Sequence, residues 1–297
     1  MSEGAGAADP VLTAASELRP LLDRHRAAGR RVGLVGTSGG LHEGHLSLVR
    51  RSAGADDVTV LWLFTGRVAM ETGVLPSYER DYDRDVAQAV GAGATVVFRP
   101  PNETLFALGD PLVRIQVADS LARPWPAADS DVFVGMVATI MAKAINVVGP
   151  CRLYCGEKDW QNVVTLRRMV VDLSVPAEIV ACPSVREPDG VVLGSRNAKL
   201  SVEERRAAPE IKRALDAAAA AIAGGEADPD RIEDLMRRRL GGTGRVEYAV
   251  AVDARTLQPV RPLAGDLRLL VSVAFATTNL MDNVAVTGPG SSEEGPA

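Results

Sequence analysis

The stretch that decides the fold runs from Arg31 to Val49 and reads Arg-Val-Gly-Leu-Val-Gly-Thr-Ser-Gly-Gly-Leu-His-Glu-Gly-His-Leu-Ser-Leu-Val. Residues 32–35 form an apolar run with β-branched side chains, long enough for one buried strand. Three glycines within residues 36–40 then allow a tight turn and a close approach of the backbone to a ligand. Apolar residues at helical spacing follow over 41–49. A strand, a glycine-rich turn and a helix in this order predict an anion-binding site, because the free N–H groups at a helix start attract negative charge.

Two of the three histidines of the chain lie in this segment. His42 and His45 are three residues apart, so they share one face of the predicted helix. We expect both in its first turn, where the helix macrodipole disfavours additional positive charge. An anion in front of the two rings would explain their position. The alternative is a pair of structural histidines, which the adjacent strand and glycines disfavour. We call residues 36–45 the histidine turn.

Length and composition indicate a globular protein with two domains, because 297 residues is long for one compact domain. A net charge of −5 without a basic cluster argues against nucleic-acid binding. No apolar run approaches the ~20 residues of a membrane span, and the first residues lack the features of a signal peptide. The three cysteines lie in apolar sequence without a nearby histidine, so we expect reduced core residues in a cytoplasmic protein.

Strands that alternate with helices over the first half predict an α/β fold, a Rossmann-like doubly wound parallel sheet, for a domain spanning residues 1–184. Residues 11–28 are interpreted as an amphipathic helix and residues 113–117 as an edge strand of this sheet. Ser201-Val202-Glu203-Glu204 is a capping-box start for a later Ala-rich helix. Turn residues, two helices and three strands then predict a smaller C-terminal α+β domain over residues 185–287. The polar tail 288–297 is expected to be disordered.

Two further clusters fit a site for ATP. Gly156-Glu157-Lys158-Asp159, the lysine loop, directly follows a predicted strand. A lysine there can reach phosphate as a point charge, and an aspartate suits ribose hydroxyls. Gly194-Ser195-Arg196-Asn197, the serine–arginine turn, supplies a hydroxyl, a forked guanidinium and a flexible backbone. Each cluster alone is more simply a solvated loop; together with the histidine turn they predict a triphosphate site.

These motifs resemble, in order and spacing, those of the HxGH-type nucleotidyltransferase superfamily, which also contains class I aminoacyl-tRNA synthetases, and within it the pantothenate synthetase family. Members of that family read Leu-Val-Pro-Thr-Met-Gly-Ala-Leu-His-Glu-Gly-His, Gly-Glu-Lys-Asp and Ser-Ser-Arg-Asn. The likeness extends to residues 182–190 and 277–283 and covers roughly residues 10–286. Gly194 stands where the first serine of the third motif is expected, so one phosphate-binding hydroxyl would be missing.

The resemblance implies a reaction in two steps. A carboxylate attacks the α-phosphorus of ATP to give an acyl-adenylate and pyrophosphate, and an amine then displaces AMP to form an amide. The catalytic residues implied, which would stabilise the phosphates, are His42, His45, Lys158, Ser195 and Arg196. The ATP-binding residues implied are Thr37, Ser38, Gly39, Gly44, Gly156, Asp159, Val185 and Leu193. In this set Gly44 would give room to adenine and Asp159 would bind ribose. Mg²⁺ would bridge the phosphates, assisted by Asp83 or Asp85.

The acid pocket is where the sequence departs from the family. Gly66 and Ala69 replace an Asn and a pantoate-binding Gln after the second strand, and Asn162 replaces a second such Gln. A family histidine aligns with Val132. Sites that pair a substrate hydroxyl discriminate by up to ~10⁴–10⁵, so losing these partners should change substrate choice. We therefore predict an ATP-dependent carboxylate–amine ligase whose acid is not pantoate but a larger or less hydroxylated one.

Three alternatives stay open. The protein is a genuine pantothenate synthetase, which joins pantoate and β-alanine; or a nucleotidyltransferase that attaches AMP to a phosphate acceptor; or a nucleotide-binding protein that has lost catalysis. Members of the family are homodimers built on the N-terminal domain, so the resemblance implies a homodimer. The expected partners are ATP, an acid and an amine, without nucleic acid or membrane.

Overall fold

The computed structural model describes residues 11–64, 81–101, 112–122, 131–276 and 278–289. The chain divides into two compact units. The first takes Met1–Ile115, Met136–Cys155 and Leu166–Cys182, and the second takes Gln116–Gly135, Gly156–Thr165 and Pro183–Ala297. The long continuous part of the second unit therefore begins next to the predicted boundary at 184. The lysine loop also belongs to this unit, although the sequence placed it in the N-terminal domain.

One six-stranded sheet forms the first unit. Its strands are β1 Val11–Leu12, β2 Val32–Thr37, β3 Val58–Leu63, β4 Val96–Phe98, β5 Cys151–Gly156 and β6 Ala177–Cys182. Their order is β1-β4-β3-β2-β5-β6, and β2 pairs in parallel with both β3 and β5. The chain thus builds the sheet outward on one side of β2 and then on the other. The predicted Rossmann-like parallel sheet is confirmed, with its topological switch point between β2 and β5.

Helices alternate with these strands along the chain. They are α1 Ala15–Ala27, α2 Glu43–Ala53, α3 Tyr82–Gly91, α4 Asp119–Ala122, α5 Asp131–Val148 and α6 Trp160–Asp172. All six residues of β3 are buried, as expected for a parallel strand covered on both faces. The Trp62 and Phe98 rings pack edge to face at 4.8 Å, and both residues are buried. None of the described helices is long and apolar enough to cross a membrane.

A glycine inside β2 lets α2 pack closely on the strand. A Cβ added at Gly33 would collide with the Ser52 Oγ of α2 and lie 2.8 Å from the Asp56 carboxylate. Ser52 in turn shares a 2.8 Å hydrogen bond with Thr59 of β3, and the Tyr154 hydroxyl of β5 donates to Asp56 at 2.5 Å. These buried polar contacts fix α2, and with it the histidine turn, against three neighbouring strands.

The second unit has its own core. Its elements are α7 Val202–Ala207, α8 Pro209–Ala223, α9 Pro229–Arg239, β7 Arg245–Asp253, β8 Asp266–Ala274 and β9 Asn279–Thr287. The strands form an antiparallel sheet of order β7-β8-β9. The apolar face of α8 is buried in this core through Ile211, Ala214, Leu215, Ala218 and Ile222. Ser201 and Glu204 form the predicted capping box before α7.

Two local predictions are wrong. Residues 113–117 form no strand; the edge strand beside β4 is Val11–Leu12, which pairs in parallel with Val97 and Phe98. Those two residues were expected to begin the first helix, which starts at Ala15 instead. A partner nearly ninety positions along the chain overrides local periodicity here. Residues 290–297 of the predicted tail lie outside the described residues.

The cysteines are reduced, as predicted: Cys151 and Cys182 are buried, Cys155 is half-buried, and none forms a disulfide. Burial raises the pKa of the Cys151 thiol to about 12. The thiolate is the nucleophilic form of cysteine. Cys151 is therefore expected to be inert towards alkylation in the folded protein.

At pH 8.5 a pKa of about 12 leaves Cys151 with ~10³-fold less thiolate than a free thiol of pKa ~8.5. We expect iodoacetamide to leave Cys151 unmodified in the native protein and to label all three cysteines in guanidinium chloride. Peptide mass spectrometry measures both. Equal labelling rates of Cys151 in the two states would contradict this burial.

Candidate functional site

The histidine turn links β2 to α2. His42 is the N-cap of α2, one residue before the first turn predicted for it, and its Nδ1 accepts a hydrogen bond from the Gly44 N–H at 3.1 Å. In the neutral ring the proton is then on Nε2, which is left as the donor. The His42 and His45 ring centroids lie 4.1 Å apart, so the two imidazoles do share one face of the helix. His42 thus has an N–H donor at the helix end whose dipole attracts an anion.

Gly44 provides the space for the His42 ring. A Cβ at this position would lie 2.9 Å from His42 Cε1 and 3.0 Å from Nδ1. Contacts this short force the ring to move and break the cap. The role implied for Gly44, room for adenine, stays a prediction. Independently of any ligand, the structure requires glycine at position 44 so that the His42 ring can cap α2.

The glycines of the turn adopt the left-handed conformation, with φ of 89° at Gly39 and 67° at Gly40. The buried Asp85 carboxylate of α3 accepts hydrogen bonds from Gly40 N at 2.8 Å and Leu41 N at 2.7 Å. Thr37, buried at the end of β2, accepts from the Gly39 N–H at 3.2 Å through its hydroxyl. Asp85 therefore anchors the turn, a role that the sequence did not reveal.

The two aspartates predicted to assist Mg²⁺ differ in environment. Both Asp85 oxygens face backbone N–H groups, whereas the Asp83 side chain is 99% exposed and lies 3.7 Å from the Arg99 guanidinium. Within the described residues no group of three His, Cys, Asp or Glu side chains could hold a metal ion. The magnesium role of either aspartate stays a prediction. Ser38 is half-buried in the turn.

In the second unit the structure brings the lysine loop and the serine–arginine turn together. Gly156 ends β5, and Glu157–Asp159 form a single 3₁₀ turn before α6. Lys158 is half-buried and Asp159 exposed. A Cβ added at Gly194 would collide with the Lys158 ammonium, so the two motifs are in contact. Gly194 has φ −169°, which any residue adopts. Glycine is thus needed at 194 for space, not for its backbone conformation.

A hairpin presents the serine–arginine turn. Two of the predicted ATP-binding residues face each other across it, because Leu193 N donates to Val185 O at 2.9 Å. Asn197 fixes the start of the turn by donating to Val192 O at 2.9 Å. Ser195 is exposed and Arg196 half-buried, so both are accessible to a ligand.

Electrostatics hold the tip of this hairpin. The Arg205 guanidinium of α7 donates to the Glu187 and Asp189 carboxylates, each at 2.6 Å. The hydrogen bond from Arg205 holds the pKa of Asp189 below its ordinary value. The hairpin is therefore fastened at its tip as well as across its strands.

The predicted acid pocket is only partly described. Gly66 and Ala69 lie outside the described residues, as does the side chain of Val132, whose backbone belongs to α5. Asn162 is half-buried on α6, and its buried Oδ1 has no hydrogen-bond partner among the described residues. A small cavity of the second unit is lined by Asn162 together with Lys158, Asp159, Trp160, Gln161, Tyr248, Leu270, Met281, Asp282 and Asn283.

The switch point, the glycine turn after β2 and the capped helix define the class: a Rossmann-like α/β protein with a small antiparallel C-terminal unit. A family model described as Pantoate-beta-alanine ligase matches residues 10–285. Pantothenate synthetase 2 of Frankia alni is 49% identical over 278 residues, which cover 93% of this chain and 84% of that protein. The chain belongs to the pantoate–β-alanine ligase family, whose members are ATP-dependent ligases that form an amide bond.

Solved structures of this family resemble the chain over nearly its whole length. The pantothenate synthetase of Thermus thermophilus superposes with a TM-score of 0.83 at 33% identity, covering 92% of this chain and 98% of that one. The pantoate-beta-alanine ligase of Francisella tularensis, complexed with beta-gamma ATP and β-alanine, has a TM-score of 0.66 and covers 92% and 96%. At 20% identity the second likeness concerns the fold alone. The family inferred from the motifs is confirmed.

Two variants of His42 separate its cap from its imidazole. We expect His42→Ala to destabilise the first unit by about 1 kcal/mol, because the N-cap is lost, while His42→Asn retains a good N-cap. Both should weaken ATP binding, because both remove the Nε2 donor. Urea unfolding and calorimetric titration with ATP measure the two effects. Wild-type ATP affinity in His42→Asn would show that the ring acts only as a cap.

Gly194→Ala tests the contact between the two motifs. The added methyl displaces the Lys158 ammonium, so we expect kcat to fall between about 10- and 100-fold, the range for small misplacements of a catalytic group. The melting temperature should hold, because a flexible side-chain end can move away. Pyrophosphate release with ATP, pantoate and β-alanine gives kcat. Gly91→Ala, whose Cβ meets nothing within 4 Å, is the matched control. A wild-type kcat in Gly194→Ala would refute the spatial role.

Proposed function

We propose that the protein is a pantothenate synthetase: it joins pantoate to β-alanine with the consumption of ATP and releases AMP and pyrophosphate. The observation that carries this is the 49% identity to Pantothenate synthetase 2 of Frankia alni over 278 residues, which cover 93% of this chain. The family model that matches residues 10–285, described as Pantoate-beta-alanine ligase, supports the same two substrates. The comparisons thus favour the conservative alternative over the predicted change of acid.

Activation of the acid is the first step. The pantoate carboxylate attacks the α-phosphorus of ATP, the bond to the β-phosphate oxygen breaks, and pyrophosphate leaves. His42 can donate through Nε2, because Gly44 N–H engages Nδ1. Lys158, Ser195 and Arg196 stabilise the charge on pyrophosphate, and the contact at Gly194 supports their acting on one group. Asp159, exposed beside Lys158, binds the ribose hydroxyls.

Amide formation is the second step. The uncharged amine of β-alanine attacks the carbonyl carbon of pantoyl-adenylate, the C–O bond to AMP breaks, and the ammonium intermediate loses a proton. No bond to the protein is needed, so the enzyme acts by positioning and by charge stabilisation.

Two of the three motifs follow neighbouring strands of the sheet. The histidine turn follows β2 and the lysine loop follows β5, and these two strands are parallel neighbours at the switch point. Open α/β sheets bind ligands beyond the carboxyl ends of the strands at such a point. Both motifs therefore leave the sheet at the edge where this rule puts the ATP.

Magnesium is proposed to bind together with ATP and not at a site formed by protein ligands alone. The described residues contain no cluster of three acidic, His or Cys ligands. Mg²⁺ commonly keeps waters and binds through substrate phosphates with one or two carboxylates. Asp83 is the freer carboxylate of the predicted pair, since Asp85 is engaged by two backbone N–H groups. Bound there, the ion would neutralise phosphate charge.

Asn162 favours an acid that carries a hydroxyl. Its Oδ1 is a buried acceptor without a partner among the described residues, and such an atom costs about 1–3 kcal/mol unless it is satisfied. A substrate hydroxyl would satisfy it, as the family's Gln does. Asn is shorter than Gln by one methylene, so the acid would bind closer to α6.

We also propose a homodimer, by the family resemblance. Elution as a monomer in size-exclusion chromatography would count against it.

A panel of acids with ATP, β-alanine and Mg²⁺ tests the proposed function. We expect pantoate to give pantothenate, AMP and pyrophosphate in equal amounts, with kcat/KM at least ~10²-fold above that of 3,3-dimethylbutanoate, which lacks both hydroxyls. Mass spectrometry and pyrophosphate release measure this. Faster turnover of a different acid would restore the altered-substrate prediction. Products that retain AMP would indicate a nucleotidyltransferase. If no acid led to pyrophosphate release, the protein would be one that has lost catalysis.

A further inference from the structure

We propose that Asn283 of β9 and Arg268 of β8 are positioning residues for Lys158: they fix the backbone of the lysine loop so that the ammonium lies against Gly194. This rests on the proposed function, in which Lys158 stabilises the leaving pyrophosphate. The sequence singled out residues 277–283 as similar to the family without giving them a role. The contacts within the second unit supply one.

The Asn283 side chain hydrogen-bonds to the main chain of the lysine loop. The Asn283 side-chain amide donates to Glu157 O and to Lys158 O, both at 2.9 Å, and its Oδ1 accepts from Arg268 Nε at 2.6 Å. Arginine can only donate, so the orientation of the amide is fixed by its neighbour. Both donors and the acceptor are used, and the residue is only 4% exposed. Two successive carbonyls of the loop are therefore held by one rigid group.

Arg268 holds the side chains of the same loop. Its Nη2 lies 2.7 Å from the Glu157 carboxylate, and its guanidinium carbon lies 3.8 Å from the centre of the Trp160 ring. It is 4% exposed, so these contacts are made away from solvent, where they are stronger than at the surface. Glu157 and Trp160 flank Lys158 by one and two positions. Main chain and side chains on both sides of the lysine are thus fixed.

The preceding residue of β9 holds the other motif. Asp282, almost fully buried, accepts from Arg186 at 2.6 and 2.8 Å, a two-point ion pair, and its Oδ1 also accepts from Asn283 N at 2.8 Å. Arg186 belongs to the hairpin that presents the serine–arginine turn. One dipeptide of β9 therefore supports both motifs that meet at Lys158 and Gly194.

The expected effect is on turnover. A misplacement of about 1 Å can cost a catalytic group ~10²-fold in rate, and an interaction made only in the transition state affects kcat and kcat/KM equally. For Asn283→Ala we expect kcat to fall between about 10- and 100-fold with KM for ATP within about 2-fold of wild type. Asn279→Ala is the control: the same strand loses an amide bonded to Glu247, away from the lysine loop. Its kcat should match wild type.

A double-mutant cycle with Lys158→Ala decides whether Asn283 acts through the lysine. Residues that act as a unit are not additive. We expect Asn283→Ala with Lys158→Ala to be no slower than Lys158→Ala alone. Fully multiplicative losses would overturn the proposal. Because Asn283→Ala leaves buried groups unpaired and could prevent folding, Arg268→Lys provides a second cycle: it keeps the charge beside Glu157 but loses the fixed fork, and the same non-additivity is expected.

Hydrogen exchange separates this proposal from the proposed function. In Asn283→Ala we expect faster amide exchange over residues 157–161 than in wild type or Asn279→Ala. Unchanged exchange would overturn the proposal even in an active enzyme. A wild type without turnover on any acid would refute the proposed function, and the exchange result would still decide whether these residues hold the loop.

Discussion

The histidine turn depends on two hydrogen bonds, which the Asp85 carboxylate accepts from the backbone N–H groups of Gly40 and Leu41. Ordering a glycine-rich turn carries a large entropic cost, and left-handed glycines do not hold themselves in place. A buried carboxylate that accepts from two successive amides fixes that backbone from below. His42 then caps α2, because its Nδ1 accepts from the Gly44 N–H.

The second unit also fixes an irregular backbone segment with one buried side chain, but there the side chain donates hydrogen bonds instead of accepting them. Asn283 donates to two successive carbonyls of the lysine loop, where Asp85 accepts from two successive N–H groups. Each device acts on the main chain of its segment. Backbone groups that no helix or strand pairs are thereby hydrogen-bonded in both irregular segments.

Much of the fold could be predicted because its signals are local. The apolar run of β2, the glycines after it and the capping box at Ser201 each lie within a few residues, and all are confirmed. The anchors could not be predicted in the same way. Asp85 lies 45 positions from Gly40, and the family resemblance implied a magnesium role for Asp83 or Asp85 instead. Val11–Leu12 resembled a helix start until β4 supplied a strand partner. The residue that hydrogen-bonds to a loop backbone is determined by the tertiary fold. The periodicity of apolar residues in the sequence does not predict it.

Gly194 shows why a departure from a motif needs its structural surroundings. Read as sequence, the glycine is a lost phosphate-binding hydroxyl. In the structure its missing Cβ is the space into which the Lys158 ammonium fits. A neutral hydrogen bond contributes about 0.5–1.5 kcal/mol net, and one to a charged group about 1.5–3. On the proposed function, in which Lys158 acts on the leaving pyrophosphate, a bond from the ammonium to a phosphate would offset the loss of one hydroxyl. The glycine would then keep the chemistry of the turn, with the nitrogen of residue 158 in place of an oxygen of residue 194.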